Sequence, residues 1–207
     1  MDLEQKVIEE IKEWANQVLD KPNSFFNNLP ACPYARKAFL SDKVGFSFSY
    51  EKSMHHLYTV LSQFDDTYDV ILCVQFDFVS ESQEFHDYIG ALNDAIATGT
   101  FVQKDLWVMG FHPYDEGEEA FDQEFDYLVD EPYAMFFVQR LSTIEKSAEM
   151  LREKGYYDQY LNDPETAGLW DERQELYRRL CDAGNEKWYG QEKAKPVKKM
   201  RGGGMAA

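Results

Sequence analysis

The run VGFSFSYEKSMHHLYTVLSQFDDTYDVILCVQF, residues 44–76, decides the fold. Its first seven residues alternate, so Val44, Phe46, Phe48 and Tyr50 share one face of a strand, and that face belongs to the core. Met54, Leu57, Leu61 and Phe64 then recur at three- and four-residue spacing, the period of a helix that buries one stripe. Residues 69–76 are mostly apolar and rich in β-branched types, the composition of a strand covered on both faces. A strand–helix–strand unit with short connections predicts a right-handed crossover and a sheet lined by helices.

The same periods continue on both sides. Phe85, Ile89, Leu92 and Ile96 predict a helix over 81–97. LWVMGF (106–111) reads as a third strand ending at His112-Pro113, and AMFFVQRL (134–141) as a fourth. Toward the N-terminus, Leu3, Val7, Ile11, Trp14 and Val18 mark an amphipathic first helix. DKPNSFFNNLPACP (20–33) interrupts it with three prolines and three asparagines. Pro33 suits the first position of a short second helix, with Cys32 as its N-cap. Ser142 with Glu145 three residues on forms a capping box for the next helix, and Gly155 ends it. A last helix is expected from Pro164 to Cys181, with Leu169, Leu176 and Leu180 inward.

The expected architecture is a single-domain α/β sandwich over residues 1–186, with a four-stranded mixed sheet and flanking helices. The first three strands are expected to pair in parallel; the direction of the fourth stays open. Residues 187–207 form a basic, Gly-rich stretch without periodicity, with five basic residues and no acid between Lys193 and Arg201. Its composition predicts a disordered tail.

Composition narrows the function. Of 207 residues 44% are hydrophobic and 15% aromatic, enough for a real core. A net charge of −17 repels phosphate backbones, so nucleic acid is expected to meet only the tail. The three cysteines are far apart and form no CxxC pair, which points to free thiols in a reducing, cytoplasmic setting. MDLEQKVIEEIKEW has neither the basic nor the apolar region of a signal peptide, and no apolar run has membrane-spanning length.

Three segments place a chemically capable residue beside a proline, at or near the end of an expected element: ACPYARKA (31–38), MGFHP (109–113) and EPYAMFFVQRL (131–141). A thiol at a helix N-terminus faces unpaired N–H groups, so Cys32 is expected to have a lowered pKa, aided by Arg36 and Lys37. His112 lies just past a strand, where ligands gather in open α/β sheets, and suits a general base. Arg140, beside a helix start, suits a bidentate clamp on a carboxylate or phosphate. No His/Cys spacing of a metal site occurs, no Walker A, GxGxxG or GxSxG pattern occurs, and no cofactor is implied. Residues 115–131 hold nine acids and no base, interleaved with Phe121, Phe125 and Tyr127, and read as an exposed acidic loop.

CPYA (32–35) is similar to the glutaredoxin CPYC motif, but Ala35 stands at the resolving cysteine and no strand precedes it, which excludes a dithiol enzyme. ACPYARKA, EFHDYIGALNDAI, MGFHPYDE and EPYAMFFVQRLSTIEKSAEML together, in that order, resemble the bacterial domain-of-unknown-function family fourteen-fifteen, over roughly residues 25–152. That family carries a CPFA-type motif, SFHPDY and SPYPMLHLLREESVE. The resemblance marks Cys32, Pro33, Arg36, His112, Pro113, Pro132, Tyr133 and Arg140, and implies no activity. Ala134 stands where the family has a second proline, and Phe137 where it has histidine; the latter removes a partner for His112. The Lys/Arg-Gly-Met ending is similar to the ends of marine phage proteins.

Two readings follow. In the first, a small enzyme uses Cys32 as nucleophile and His112 as base, with Arg36, Arg140 and Tyr133 holding a small anionic substrate. In the second, a non-enzymatic, phage-type interaction protein meets a protein partner through loop 115–131.

Overall fold

The computed structural model describes residues 2–51, 53–77, 81–101, 104–114, 133–162 and 164–185. Its elements are α1 (Leu3–Val18), β1 (Pro22–Asn23), β2 (Leu29–Pro30), α2 (Ala35–Leu40), β3 (Val44–Ser49), α3 (His55–Gln63), β4 (Val70–Gln75), α4 (Ser82–Ala97), β5 (Trp107–Phe111), β6 (Ala134–Gln139), α5 (Leu141–Arg152) and α6 (Pro164–Asn185). Loop 115–131 and the tail fall outside the described residues.

The sheet runs β3-β4-β6-β5. β3 and β4 are parallel, with Val44 beside Val70 and Ser49 beside Gln75. β6 lies antiparallel to β4 and to β5. The third strand therefore points as expected but does not pair with the second, because the fourth is inserted between them. The reason lies in composition. AMFFVQ is apolar on both faces and needs a central place. β3 has only glycine and serines on its second face and can stand at an edge.

Alternation along each strand feeds two clusters, one on each face of the sheet. On one face, Val7, Ile11 and Trp14 of α1 and Ala38 of α2 cover Val44, Leu72, Val74 and Met135. On the other, Leu57 and Leu61 of α3 and Phe85, Ile89, Leu92 and Ile96 of α4 cover Cys73, Val108, Phe136 and Val138. The mixed α/β sandwich is thus a sheet between two helical layers. Asn93 of α4 reaches round the β5 edge: its amide donates to the Val108 carbonyl and accepts from the Val108 N–H, both at 2.9 Å.

The Pro/Asn-rich segment after α1 is a two-stranded antiparallel ribbon, β1 with β2, around a 3-10 turn at Ser24–Phe26. Asn27 and Asn28 take positive φ, which asparagine tolerates better than most residues. The turn packs Phe26 flat on Tyr156, within a third cluster that includes Ala148, Leu151 and Tyr157. Gly155, at φ 72°, reverses the chain after α5 as expected.

Candidate functional site

Cys32 is half-buried against the α1 face of the sheet. α2 begins at Ala35 with Tyr34 in the cap position, so Cys32 is not its N-cap, and the helix is only six residues long. Burial holds the Cys32 thiol above its ordinary pKa; the N–H groups of Tyr34 and Ala35 pull the other way, and Asp20 adds to the rise. The expected thiolate activation is corrected accordingly: two N–H groups do not offset the loss of water. Arg36 points away into solvent and sits 3.7 Å from Asp20.

His112 is 1% exposed. Its ring packs on Phe85 of α4 at 5.3 Å and on Tyr114 at 5.6 Å. Nδ1 accepts from the Tyr114 N–H at 3.2 Å, which assigns the proton of the neutral ring to Nε2. Phe111, one residue earlier, faces Trp14 of α1 at 5.1 Å. Alternation thus sends His112 to the α4 face, and the sheet stands between it and Cys32.

Arg140 lies at the other end of the sheet. Gln139 pairs with Trp107, the first residue of β5, whereas His112 follows its last. At strand rise the two residues are roughly 20 Å apart along the sheet. The Arg140 guanidinium donates to Asp66 at 3.2 and 3.0 Å and lies 5.0 Å over the Phe64 ring. The N-terminus of α5 already holds an anion: Asp105 accepts from the Ser142 N–H at 2.7 Å and from its hydroxyl at 2.6 Å. Ser142 is therefore inside the helix rather than its cap. The structure brings none of Cys32, His112 and Arg140 together.

No family model, curated protein or solved structure matches this chain. The site must therefore be read from its own chemistry. Among the described residues no three His, Cys, Asp or Glu side chains converge as metal ligands, and no helix is long and apolar enough to cross a membrane.

What the structure does assemble is a row of five aromatic rings on the α1 face, at the β3 edge. Phe46 and Phe48 lie parallel at 6.4 Å, Phe48 and Phe76 at 6.0 Å, and Tyr50 and Phe76 at 4.9 Å. Tyr133 closes the row edge-on to Phe76 at 5.7 Å. The core face expected for β3 is only partly covered: Phe46, Phe48, Phe76 and Tyr133 are half-buried and Tyr50 is 52% exposed. Alternation puts Phe46, Phe48 and Tyr50 on one face, as observed; that Phe76 and Tyr133 join them, and that β3 lies at an edge, required the strand order.

Carboxylates flank the row. Tyr50 donates to Glu4 at 3.0 Å, and Tyr133 donates to Glu10 at 2.5 Å. Burial, then the Glu10 hydrogen bond, pushes the Tyr133 phenol up to about 12, and the same hydrogen bond lowers the Glu10 carboxyl. Tyr133, expected among the substrate-binding residues, therefore belongs to this face rather than to an arginine clamp.

The thiols give a direct check. Iodoacetamide is expected to modify exposed Cys181 first at neutral pH. Cys32 should follow slowly and accelerate only as pH rises past the free-thiol value of about 8.5. Cys73, buried and pushed up to about 12, should react only on unfolding. Mass spectrometry of the labelled peptides reads the order, and rapid labelling of Cys32 at neutral pH contradicts it.

Proposed function

We propose that this protein is a binding module whose working surface is the aromatic group Phe46, Phe48, Phe76, Tyr50 and Tyr133, with the acidic stretch 115–131, which precedes Tyr133 in the sequence, as a second source of negative charge for the same partner. The observation that carries this reading is the half-open row with Glu4 and Glu10 hydrogen-bonded to its tyrosines. Flat, partly exposed rings of this kind are interface material: they bury apolar area and accept cations on their faces. The carboxylates select against anions. The occupant that fits is an extended protein segment in which Lys or Arg alternates with apolar residues. Single-stranded nucleic acid also stacks on aromatic rows, but the flanking acids and the net charge of −17 oppose its phosphates. Three free thiols support a reducing, cytoplasmic setting.

The catalytic reading, with Cys32 and His112 as a pair on a small anionic substrate, draws less support. A nucleophile and its base need hydrogen-bond reach or one bridging water. The two residues belong to clusters on opposite faces of the sheet, and Arg140 is already engaged by Asp66.

The test is calorimetric titration of the full chain with peptides of alternating Lys and Leu, against a Glu/Leu control. The basic peptide is expected to bind, and Tyr50→Ala to weaken it about tenfold, or about 1.4 kcal/mol. Cys32→Ala should leave it unchanged. Equal affinity for the acidic control, or no effect of Tyr50→Ala, overturns the reading.

A further inference from the structure

β3 is an open edge, and the opposite edge is not. The Lys43 and Ser49 carbonyls accept from the Val70 and Phe76 N–H groups, so by alternation Lys43, Gly45, Ser47 and Ser49 bond toward β4. The N–H and C=O groups of Val44, Phe46 and Phe48 point the other way, and among the described residues no strand pairs with that side. At β5 the outward groups of Val108 are taken by Asn93. Sheet edges are usually blunted by lysine, proline or a bulge. Val44–Ser49 holds neither lysine nor proline, and it pairs with Val70–Gln75 residue for residue, without a bulge. Lys43, just before the strand, gives its ammonium to the Thr67 carbonyl at 2.8 Å, in the turn before β4.

From this geometry we infer that the basic partner is captured by strand addition: an extended segment pairs its main chain with Val44, Phe46 and Phe48 as a fifth strand of the sheet. The inference rests on the binding reading above and adds the mode of capture, which decides where each partner side chain goes. Side chains of an added strand alternate between the two faces. On the α1 face they stand beside Phe46 and Phe48, whose rings lie 6.4 Å apart, close to the ~6.6 Å between alternate residues of a strand. Glu4 and Glu10, bonded to Tyr50 and Tyr133, make this the face for Lys or Arg. Glu10 shares its charge with Lys6 at 3.5 Å, which leaves Glu4 the stronger anchor. On the α3 face the neighbours are Gly45 and Ser47, small residues that leave room, and the Tyr68 ring. That ring lies over Gly45, 2.9 Å from where a Cβ would stand, and is 38% exposed. This is the face for the apolar residues. The alternation of basic and apolar residues in the partner is thereby the alternation of a strand.

A second copy of this chain is a poorer occupant. Pairing two β3 edges about a twofold axis brings two aromatic groups with their carboxylates together, between chains that each carry a net charge of −17. A basic segment meets the same edge with the opposite charge.

The test titrates the full chain by calorimetry with Lys/Leu peptides N-methylated on either alternate set of residues. In an added strand one set of peptide N–H groups faces β3 and the other faces away. Methylating the facing set is expected to weaken binding about tenfold or more, and methylating the other set to change it less than about threefold. Loss on methylating the Lys residues marks an antiparallel partner, and loss on methylating the Leu residues a parallel one. Glu4→Gln should weaken the unmodified peptide more than Glu10→Gln. Amide exchange gives a second readout. In the free protein Phe46 and Phe48 should exchange rapidly beside slow Ser47 and Ser49, and the peptide should slow Phe46 and Phe48 about tenfold with Leu72–Val74 unchanged. Slow exchange of Phe46 and Phe48 in the free protein means that the edge is already paired and overturns the inference, in favour of a second copy where the protection rises with protein concentration. If the peptide binds and Tyr50→Ala weakens it, but the two methylated forms bind equally or Phe46 and Phe48 are not slowed, the binding reading stands and strand addition fails. If no basic peptide binds, both fail.

Discussion

Replacing Glu145 with alanine is expected to cost the folded state about 3–5 kcal/mol, the usual price of leaving one member of a buried ion pair behind. Glu145 is 5% exposed. Its carboxylate accepts from Arg173 Nε at 2.5 Å and from the Gln174 amide. Arg173 is itself largely buried, and its Nη2 meets no hydrogen-bond partner among the described residues. Without Glu145 the guanidinium keeps its desolvation cost and loses its anion. The damage extends through a stack: Arg173 lies over Trp170 at 4.9 Å, Trp170 on Tyr157 at 4.5 Å, and Tyr157 on Tyr156 at 4.7 Å. At roughly 2–4 °C per kcal/mol for a protein of this size, the melting temperature should fall by about 6–20 °C. Urea unfolding measures the loss directly. A double variant, Glu145→Leu with Arg173→Leu, should recover much of it, because an apolar pair carries no stranded charge. A loss below about 1 kcal/mol would make the pair equivalent to an exposed one, and the joint between α5 and α6 would have to rest on its rings alone.

Glu145 also shows where sequence reading stops. Ser142 and Glu145 have capping-box spacing, and a local rule pairs them with each other's backbone. In the fold each has a stronger partner far away. Asp105, 37 residues from Ser142, takes its N–H and hydroxyl, while Arg173, 28 residues from Glu145, takes the carboxylate. The helix was legible because its apolar stripe is a local periodicity; its cap was not, because the competing groups come from other elements. Cys32 follows the same pattern. Pro33 predicts an early helix start, but Tyr34 still precedes the first helical residue, and the packing that desolvates the thiol comes from α1 and the sheet.

The strands divide in the same way. Alternation at 44–50 and the apolar run at 69–76 identified β3, β4 and their inward faces. The insertion of β6 between β4 and β5 depends on how the chain returns after residue 114, which no periodicity records. That insertion leaves β3 as an edge, and the edge turns Phe46, Phe48 and Tyr50 from expected core into a half-open face. His112 and Arg140 were each placed correctly at strand ends, but at opposite ends of the sheet. Being at the end of a strand is legible in a sequence; which end it shares with another residue depends on strand direction, and here the fourth strand runs against the third.

Gly110→Ala is expected to destabilise the protein by about 1–3 kcal/mol, and Gly110→Val by more. Strand propensity alone gives the opposite sign, since both residues are better strand formers than glycine, over a scale of about 1 kcal/mol. The deciding term is space. A Cβ at Gly110 would lie 2.1 Å from Ile89 Cδ1 and 2.4 Å from Phe85 Cε1. Ile89 can shift the end of its side chain. Phe85 cannot easily follow, because its ring is fully buried between Phe136 at 4.8 Å and His112 at 5.3 Å. α4 must then move off β5, which also strains the Asn93 bonds that close that edge. Ile89→Ala combined with Gly110→Ala should be less damaging than the sum of the single changes, since the first opens the room the second needs. Chemical denaturation of the three variants measures this coupling, and a stabilised Gly110→Ala would mean that α4 sits further from the sheet than the geometry has it. The aromatic row lies on the opposite face, so below its melting range the Gly110→Ala protein should still bind the Lys/Leu peptide with wild-type affinity. Loss of that affinity at full folding would tie the two faces together and would weaken the assignment of binding to the β3 edge alone.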